Sequence, residues 1–289
     1  MKLSKLRQLI QFASTVLSNS YIGTIYTKTV NTNAFKGVCV PFLNCYACPS
    51  AVFSCPIGTL QHFAAIRTFP LYLLSFIAVI GLTTGRMACG WLCPFGLLQD
   101  IMYKIKTKKI RIPSYLSYVK YFILVFFVIV IPYYTGDLIF SQLCPAGKLT
   151  AGIPWALWNP INPATGQRIM PDGPGILFYI GLIILFAFLS WFVISKRPFC
   201  RVICPMGALL SLFNSFSIIK LEVNKKCDGC NVCEISCPVD INISMDVDSK
   251  ECIRCLECTK CGHIKIVNKF SFEEKEVLNE KEQNEKAFD

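Results

Sequence analysis

The chain of 289 residues is 53% hydrophobic with a mean hydropathy of +0.48, too apolar for an ordinary soluble domain and long enough for a membrane part plus one small domain. Its formal net charge of +11 would suit nucleic acid, but Lys and Arg cluster beside the apolar runs, as they do in cytoplasmic loops of membrane proteins. Seventeen cysteines in a chain of this length point to metal or redox chemistry and away from a disulfide scaffold.

In chain order, residues 9–26 form a first apolar run, diluted by Gln11, Ser14, Ser18, Asn19 and Ser20 and preceded by Lys2, Lys5 and Arg7. An interfacial helix or a signal peptide are the alternatives; the basic residues favour an uncleaved first helix whose start stays inside. Runs 68–85, 115–134 and 173–195 each approach the ~20 residues that a spanning helix needs, and only Lys120 interrupts them. Lys104, Lys106, Lys108, Lys109 and Arg111 follow the first of these, while Lys196, Arg197, Arg201, Lys220, Lys225 and Lys226 follow the last. Both segments are expected in the cytoplasm, which puts 26–67 and 135–172 outside. The pattern predicts a mainly α membrane protein of about four transmembrane helices in two tandem units, with both termini cytoplasmic.

The motif Cys-Pro-x-Gly-x-Leu occurs at Cys55, Cys93, Cys144 and Cys204, closed by Leu60, Leu98, Leu149 and Leu209. Two copies extend to C-x3-C-P-x-G, as Cys89-Gly-Trp-Leu-Cys93-Pro94-Phe95-Gly96 and Cys200-Arg-Val-Ile-Cys204-Pro205-Met206-Gly207, each after an apolar run and an arginine. Proline suits the first position of a helix, so each Cys-Pro predicts a cysteine at a helix N-cap. There the free backbone N–H groups and the helix dipole favour a negative ligand group, such as an iron-sulfur cluster held by four thiolates. A single Cys-Pro reads equally well as a turn with a small buried hydrophobe; four copies at matching places do not.

The expected topology sorts the cysteines. Cys89, Cys93, Cys200 and Cys204 fall at the inner face, the four ligands of one [4Fe-4S] cluster. Cys39, Cys45, Cys48 and Cys55 fall at the outer face with Cys144. Five thiols exceed one cluster's need, and disulfides are an alternative in an oxidising compartment. The set that uses both outer Cys-Pro-x-Gly copies is Cys45, Cys48, Cys55 and Cys144, with Cys39 spare or as a replacement.

Residues 216–223 read as a short strand. Then Cys227-Asp-Gly-Cys230-Asn-Val-Cys233-Glu-Ile-Ser-Cys237-Pro238 has the C-x2-C-x2-C-x3-C-P spacing of bacterial ferredoxins, in which the fourth cysteine serves the other cluster. A zinc ribbon has no use for the third cysteine. Cys252-Ile-Arg-Cys255-Leu-Glu-Cys258-Thr-Lys-Cys261-Gly262 repeats the run, with x2-Cys-Gly in place of x3-Cys-Pro. The crossed rule assigns Cys227, Cys230, Cys233 and Cys261 to one cluster, and Cys252, Cys255, Cys258 and Cys237 to the other.

Four parts follow: an N-terminal membrane helix at 1–26, a transmembrane cluster-binding core at 27–220 with outer loops 27–67 and 135–172, a cytoplasmic α+β two-cluster ferredoxin domain at 221–267, and a charged tail at 268–289. His62 and His263, the only histidines, lie outside the spanning runs, and no C-x-x-C-H haem motif is present. Asp137 and Asp172 read as solvated loop charges, and Trp91, Trp155, Trp158 and Trp191 as interfacial anchors.

Twin C-x3-C-P frames after membrane helices, followed by a two-cluster ferredoxin segment, resemble the NapH-type and NosR-like membrane iron-sulfur proteins over residues 39–261. The resemblance implies a prokaryotic cytoplasmic membrane, cytoplasmic ferredoxin clusters, and electron transfer with quinol or a redox subunit. The outer cysteine set and the shortened Cys258-to-Cys261 spacing depart from it, and the nitrate-reductase role of one member is not carried over.

The reading is an electron-transfer component of an oxidoreductase system. It passes electrons between a cytoplasmic donor or acceptor protein and either quinone or an outer-face redox partner, in lipid and with no nucleic acid. Three [4Fe-4S] clusters follow from the ferredoxin and inner sets, and the outer set offers a fourth. A cluster-based redox sensor and a metal-handling assembly factor are the alternatives. For the conduit, the hydrocarbon core of about 30 Å is long for one hop between faces: either the Cys-Pro helix starts sink into the membrane or another carrier intervenes, and exchange with quinone avoids the gap altogether.

Overall fold

The computed structural model describes residues 3–27, 30–159, 161, 165–168, 173–224, 227, 230–243, 247 and 249–268. Asp172, Lys225, Lys226 and all of the expected charged tail beyond Asn268 lie outside the described residues. The chain is mostly helical. Its main helices are α1 (Leu3–Ser18), α2 (Pro56–Ala65), α3 (Leu71–Thr84), α4 (Pro94–Met102), α5 (Ser114–Thr135), α6 (Ile176–Ile194) and α7 (Pro205–Asn214).

Helices α5 and α6 are long and apolar enough to cross a membrane, and α3 is an apolar helix of 14 residues. The run 68–85 shortens to α3 because Pro70 stands before its first turn and Gly85, at φ +59°, breaks the helical backbone after its last. The first helix starts before the expected 9–26 run and stops at Ser18. There Asn19 turns its amide back onto the Thr15 carbonyl, 3.1 Å away, and Gly23–Thr27 becomes a separate turn.

Helix α5 keeps its continuity through a proline by widening. Residues Leu124–Val130 take π-type turns, in which each carbonyl looks to the N–H five residues on. Pro132 has no N–H to offer the Phe127 carbonyl. The buried Gln61 of α2 donates to that carbonyl instead, at 3.3 Å, and its own oxygen accepts from Ser141.

The two C-x3-C-P units pack crosswise. Helix α7, which follows Cys204, lies on α3 of the first unit; α4, which follows Cys93, lies on α6 of the second. Phe95 of α4 fixes the latter contact with edge-on rings of Phe192, at 5.5 Å, and Phe199, at 5.0 Å. Gly81 fixes the former, since a Cβ there would meet the Phe213 side chain at 2.6 Å.

Two short strands, β1 (Ile219–Val223) and β2 (Ile264–Asn268), pair antiparallel with Leu221 opposite Ile266 and close the C-terminal cysteine segment. The strand expected at 216–223 begins three residues later, after Ile218 has donated its amide to the Leu82 carbonyl of α3 at 2.8 Å.

The Gly81 contact generates a prediction. Gly81→Val forces α7 away from α3 and destabilises the fold by about 1–3 kcal/mol. The readout is a lowered thermal midpoint in detergent, with Gly175→Ala, where nothing lies within 4 Å, as the near-neutral control.

Candidate iron-sulfur centres

All four Cys-Pro-x-Gly motifs start a helix with the cysteine at the N-cap and the proline at its first position: Cys55, Cys93, Cys144 and Cys204. Proline's fixed φ makes this a local consequence of sequence. The first-turn amides then face sulfur. Gly207 donates to the Cys204 sulfur at 3.3 Å, the Ile57 and Gly58 amides lie at Cys55, and the Ala146 and Gly147 amides lie at Cys144.

In the inner group, Cys89 and Cys200 sit on the short turns Met87–Trp91 and Pro198–Val202, and Cys93 and Cys204 cap α4 and α7. All four are buried and close enough to feel one another's charge. Gln99 of α4 donates to the Cys200 sulfur at 3.1 Å.

Each unit sends one buried arginine across to the other. Arg86 donates to the Cys200 carbonyl at 3.3 Å, and Arg197 donates to the Cys89 carbonyl at 3.0 Å. Each guanidinium passes over a glycine of the opposite motif, Gly207 or Gly96, where a Cβ would lie 3.1 or 3.2 Å from it. Arg197 is held by both oxygens of Asp100, at 2.7 and 2.6 Å, and Arg7 of α1 also reaches Asp100 at 3.0 Å. Arg86 is paired with Glu251 of the C-terminal segment at 2.9 Å.

In the outer group, Cys45, Cys55 and Cys144 line one pocket with Leu43, Tyr46 and Phe140. Cys48 is near enough for its charge to be felt at Cys45, and its thiol contacts the Ser50 hydroxyl at 3.3 Å. Cys39 stands apart, outside that pocket, with its sulfur 3.5 Å from the Thr59 hydroxyl. All seventeen cysteines are free, so no disulfide joins the outer thiols.

The C-terminal run divides into a buried and an exposed set. Cys237, Cys252, Cys255 and Cys258 surround one pocket, walled by Leu221, Val239, Ile241, Ile243, Ile253 and Leu256. Cys227 and Cys230 are exposed, while Cys233 and Cys261 are half-buried neighbours. The shortened Cys258-to-Cys261 spacing forms a tight helical turn, Glu257–Cys261, which Gly262 ends with φ +76°.

Iron-sulfur clusters fit these donors. Burial, with the charges of neighbouring thiols, pushes Cys45 and Cys93 up to about 12, and Cys55 and Cys252 reach about the same value. Bare thiolates therefore do not form there at neutral pH, and bound iron would take the place of the proton. Helix amides and buried guanidinium groups offset the negative charge of such a group. Among the described residues, no three His, Cys, Asp or Glu side chains converge closely enough for a single ion; the thiols stand around pockets instead.

Spacing pointed to the thiols, and an arginine before each C-x3-C was visible. Asp100 and Glu251 carried no motif of their own. The only available signal was that Arg86 and Arg197 both stand three residues before a cysteine, in need of an acid.

Fold and donors define a mostly helical iron-sulfur protein. The 4Fe-4S binding domain family matches residues 66–113 and 177–224, two copies in one register that make Arg86 and Arg197, Cys89 and Cys200, and Cys93 and Cys204 equivalent. The chain is 36% identical over 195 residues to the uncharacterized protein MJ0750 of Methanocaldococcus jannaschii, covering 64% of this chain and 72% of that protein. It is 25% identical over 223 residues to the ferredoxin-type protein NapH of Escherichia coli (strain K12), covering 70% and 69%. It is 28% identical over 164 residues to the methylamine utilization ferredoxin-type protein MauN of Paracoccus denitrificans (strain Pd 1222), covering 54% and 50%. No solved structure matches the chain. The chain belongs to the NapH/NosR-like family of ferredoxin-type iron-sulfur proteins.

The arginine crossing is testable through Asp100. Burial alone would raise its carboxyl, but Arg197, by charge and hydrogen bond, and then Arg7 hold it below the usual carboxylate range. A carboxylate depressed in the folded state stabilises the fold above its unfolded value of about 3.9, and that contribution is lost as pH falls through the folded value. Asp100→Asn leaves Arg197 buried without its counter-charge and costs about 3–5 kcal/mol at neutral pH. Acid unfolding of the variant is correspondingly less steep, measured by thermal midpoints between pH 3 and 7.

Proposed function

We propose that this protein is a membrane-embedded electron conduit, linking a cytoplasmic redox protein to quinone or to an acceptor at the outer face. Helices α1, α3, α5 and α6 are its four spans, with both termini in the cytoplasm. The apolar side chains that α5 and α6 leave uncovered, among them Phe122, Val125, Phe126, Ile180, Ile183 and Phe186, support placement in lipid.

The ligand sets are Cys227, Cys230, Cys233 and Cys261; Cys237, Cys252, Cys255 and Cys258; Cys89, Cys93, Cys200 and Cys204; and Cys45, Cys48, Cys55 and Cys144. Bound there, [4Fe-4S] clusters supply one-electron donors and acceptors. The protein's part is to keep the sets in series, and the observation that carries the proposal is their continuity.

The turn Val232–Ser236 packs on Glu257–Cys261, joining the exposed set to the buried one. The Ile253 carbonyl lies against Gly90, next to Cys89, joining the buried set to the inner one. The Leu43 amide faces the Cys93 sulfur, and the next amide, of Asn44, faces the Cys55 sulfur. Consecutive residues stand ~3.8 Å apart, so one peptide separates the inner and outer thiols where the bilayer thickness would otherwise intervene. Sunken Cys-Pro helix starts remove the need for a 30 Å hop, about the thickness of the hydrocarbon core.

Quinone exchange at the outer set is supported by a cavity of about 660 Å³ that borders Cys45. Its walls include Tyr46, Trp155 and Phe178, and the buried Lys148 stands over the Phe178 ring at 5.0 Å. The Trp155 indole N–H has no partner among the described residues and suits the carbonyl oxygen of a planar ring.

The ligand assignments are tested on anaerobically purified protein. Four tetranuclear clusters give about 16 iron and 16 sulfide per chain, and a Cys55→Ala, Cys144→Ala double variant gives about 12 of each. About 12 in both proteins removes the outer centre and leaves exchange at the inner set as the end of the route.

A further inference from the structure

The two units are equivalent in sequence register but not in what they hold. Asp100, which neutralises Arg197 from α4, is matched in α7 by Ser211. Ser211 has no charge to offer Arg86 and bonds the Ala208 carbonyl and the Tyr121 hydroxyl. The missing acid comes from outside the repeat. Glu251 pairs with Arg86 at 2.9 Å and also with Lys120, fully buried in α5. Arg86 completes the contact through the Lys250 carbonyl at 3.1 Å.

Two glycines of the first unit break the equivalence in the same direction. Gly85 and Gly90 are matched by Lys196 and Arg201 in the second. A Cβ at Gly90 would stand 2.5 Å from the Ile253 carbonyl, and one at Gly85 would stand 2.6 Å from the Arg254 guanidinium. Asn214 donates to the carbonyls of Ser249 and Cys252 at 2.9 and 3.0 Å, and Trp91 donates to that of Arg254 at 3.0 Å. On the other side, Lys196 holds the Cys237 carbonyl at 3.0 Å and Asp240 at 2.9 Å. Both loops of the buried C-terminal set are thus gripped by positions where the units differ.

We propose that Glu251 is a positioning residue that seats the loop bearing Cys252 and Cys255 against the inner thiols, and that the Ser211, Gly85 and Gly90 departures of the repeat exist to receive it. Glu251 takes in trans the role that Asp100 plays within the core. Arg86 then serves two ends at once, the Cys200 carbonyl and the C-terminal segment, so the second ferredoxin set is built onto the core as a fixed extension of it. The inference rests on the conduit reading for its purpose but not for its geometry.

The test compares wild type with Glu251→Gln, Glu251→Asp and Ser211→Asp. Amide exchange over residues 249–256 reads the seat directly, and the electron paramagnetic resonance of the reduced protein reads magnetic coupling between neighbouring centres. Glu251→Gln raises exchange in this segment by about tenfold or more and removes the coupling, with iron content unchanged. Glu251→Asp restores most of both. Ser211→Asp offers Arg86 a carboxylate from α7 and loosens the same loop while Glu251 is intact. Wild-type exchange and coupling in Glu251→Gln overturn the proposal, as does a Ser211→Asp loop as tight as wild type. Exchange needs no turnover, so its failure is separable from failure of the conduit, which the iron and sulfide count decides.

Discussion

Two guanidinium groups that never meet water hold the two C-x3-C-P units of this protein together. Arg86 and Arg197 sit in a setting where an uncompensated charge is costly, so each must find an acid and carbonyl oxygens within reach. Each finds a carbonyl on the opposite unit, directly at a cysteine, and crosses a glycine to get there. Neither unit satisfies its own arginine. The crosswise packing of α4 on α6 and α7 on α3 follows the same logic, and the four inner thiols converge as its result.

From that crossing, exposure grades outward along the chain of thiols. The inner cysteines are buried under helix starts, the Cys237 set lies beneath apolar side chains, and Cys227 and Cys230 reach solvent. The gradient matches what an electron carrier with a soluble partner requires, since the centre that meets the partner must be reachable and the others protected. The broken equivalence of the repeat contributes as much as the equivalence. A strict twofold core would have an acid at position 211 and no reason to bind the C-terminal segment.

Much of the site was legible because its determinants are local. Pro56, Pro94, Pro145 and Pro205 fix the first helical turn, so the N-cap cysteines followed from sequence alone. Spacing was enough to suggest that Cys237 belongs with Cys252, Cys255 and Cys258, and the structure gathers those four around one pocket. Helix ends were less legible. The polar residues after Ser18 and the Pro70 and Gly85 pair trimmed α1 and α3 where hydropathy alone ran on. The widened turn of α5 was invisible, because it depends on Gln61 answering a carbonyl 66 residues away.

By itself, the sequence determined which residues are ligand-type, where helices begin at Cys-Pro-x-Gly, and that the C-x3-C-P frame is repeated. These are properties of neighbours along the chain, set by backbone dihedrals and ligand spacing. Only the tertiary structure decided which acid answers each buried arginine, that Leu43 and Asn44 stand between two groups of thiols, and that Gly85 leaves room for the Arg254 guanidinium and Gly90 for the Ile253 carbonyl. The Arg86–Glu251 pair alone spans 165 residues. A charge pair or a steric gap at that separation leaves no periodicity in the chain, and it exists only once apolar burial has brought both ends together.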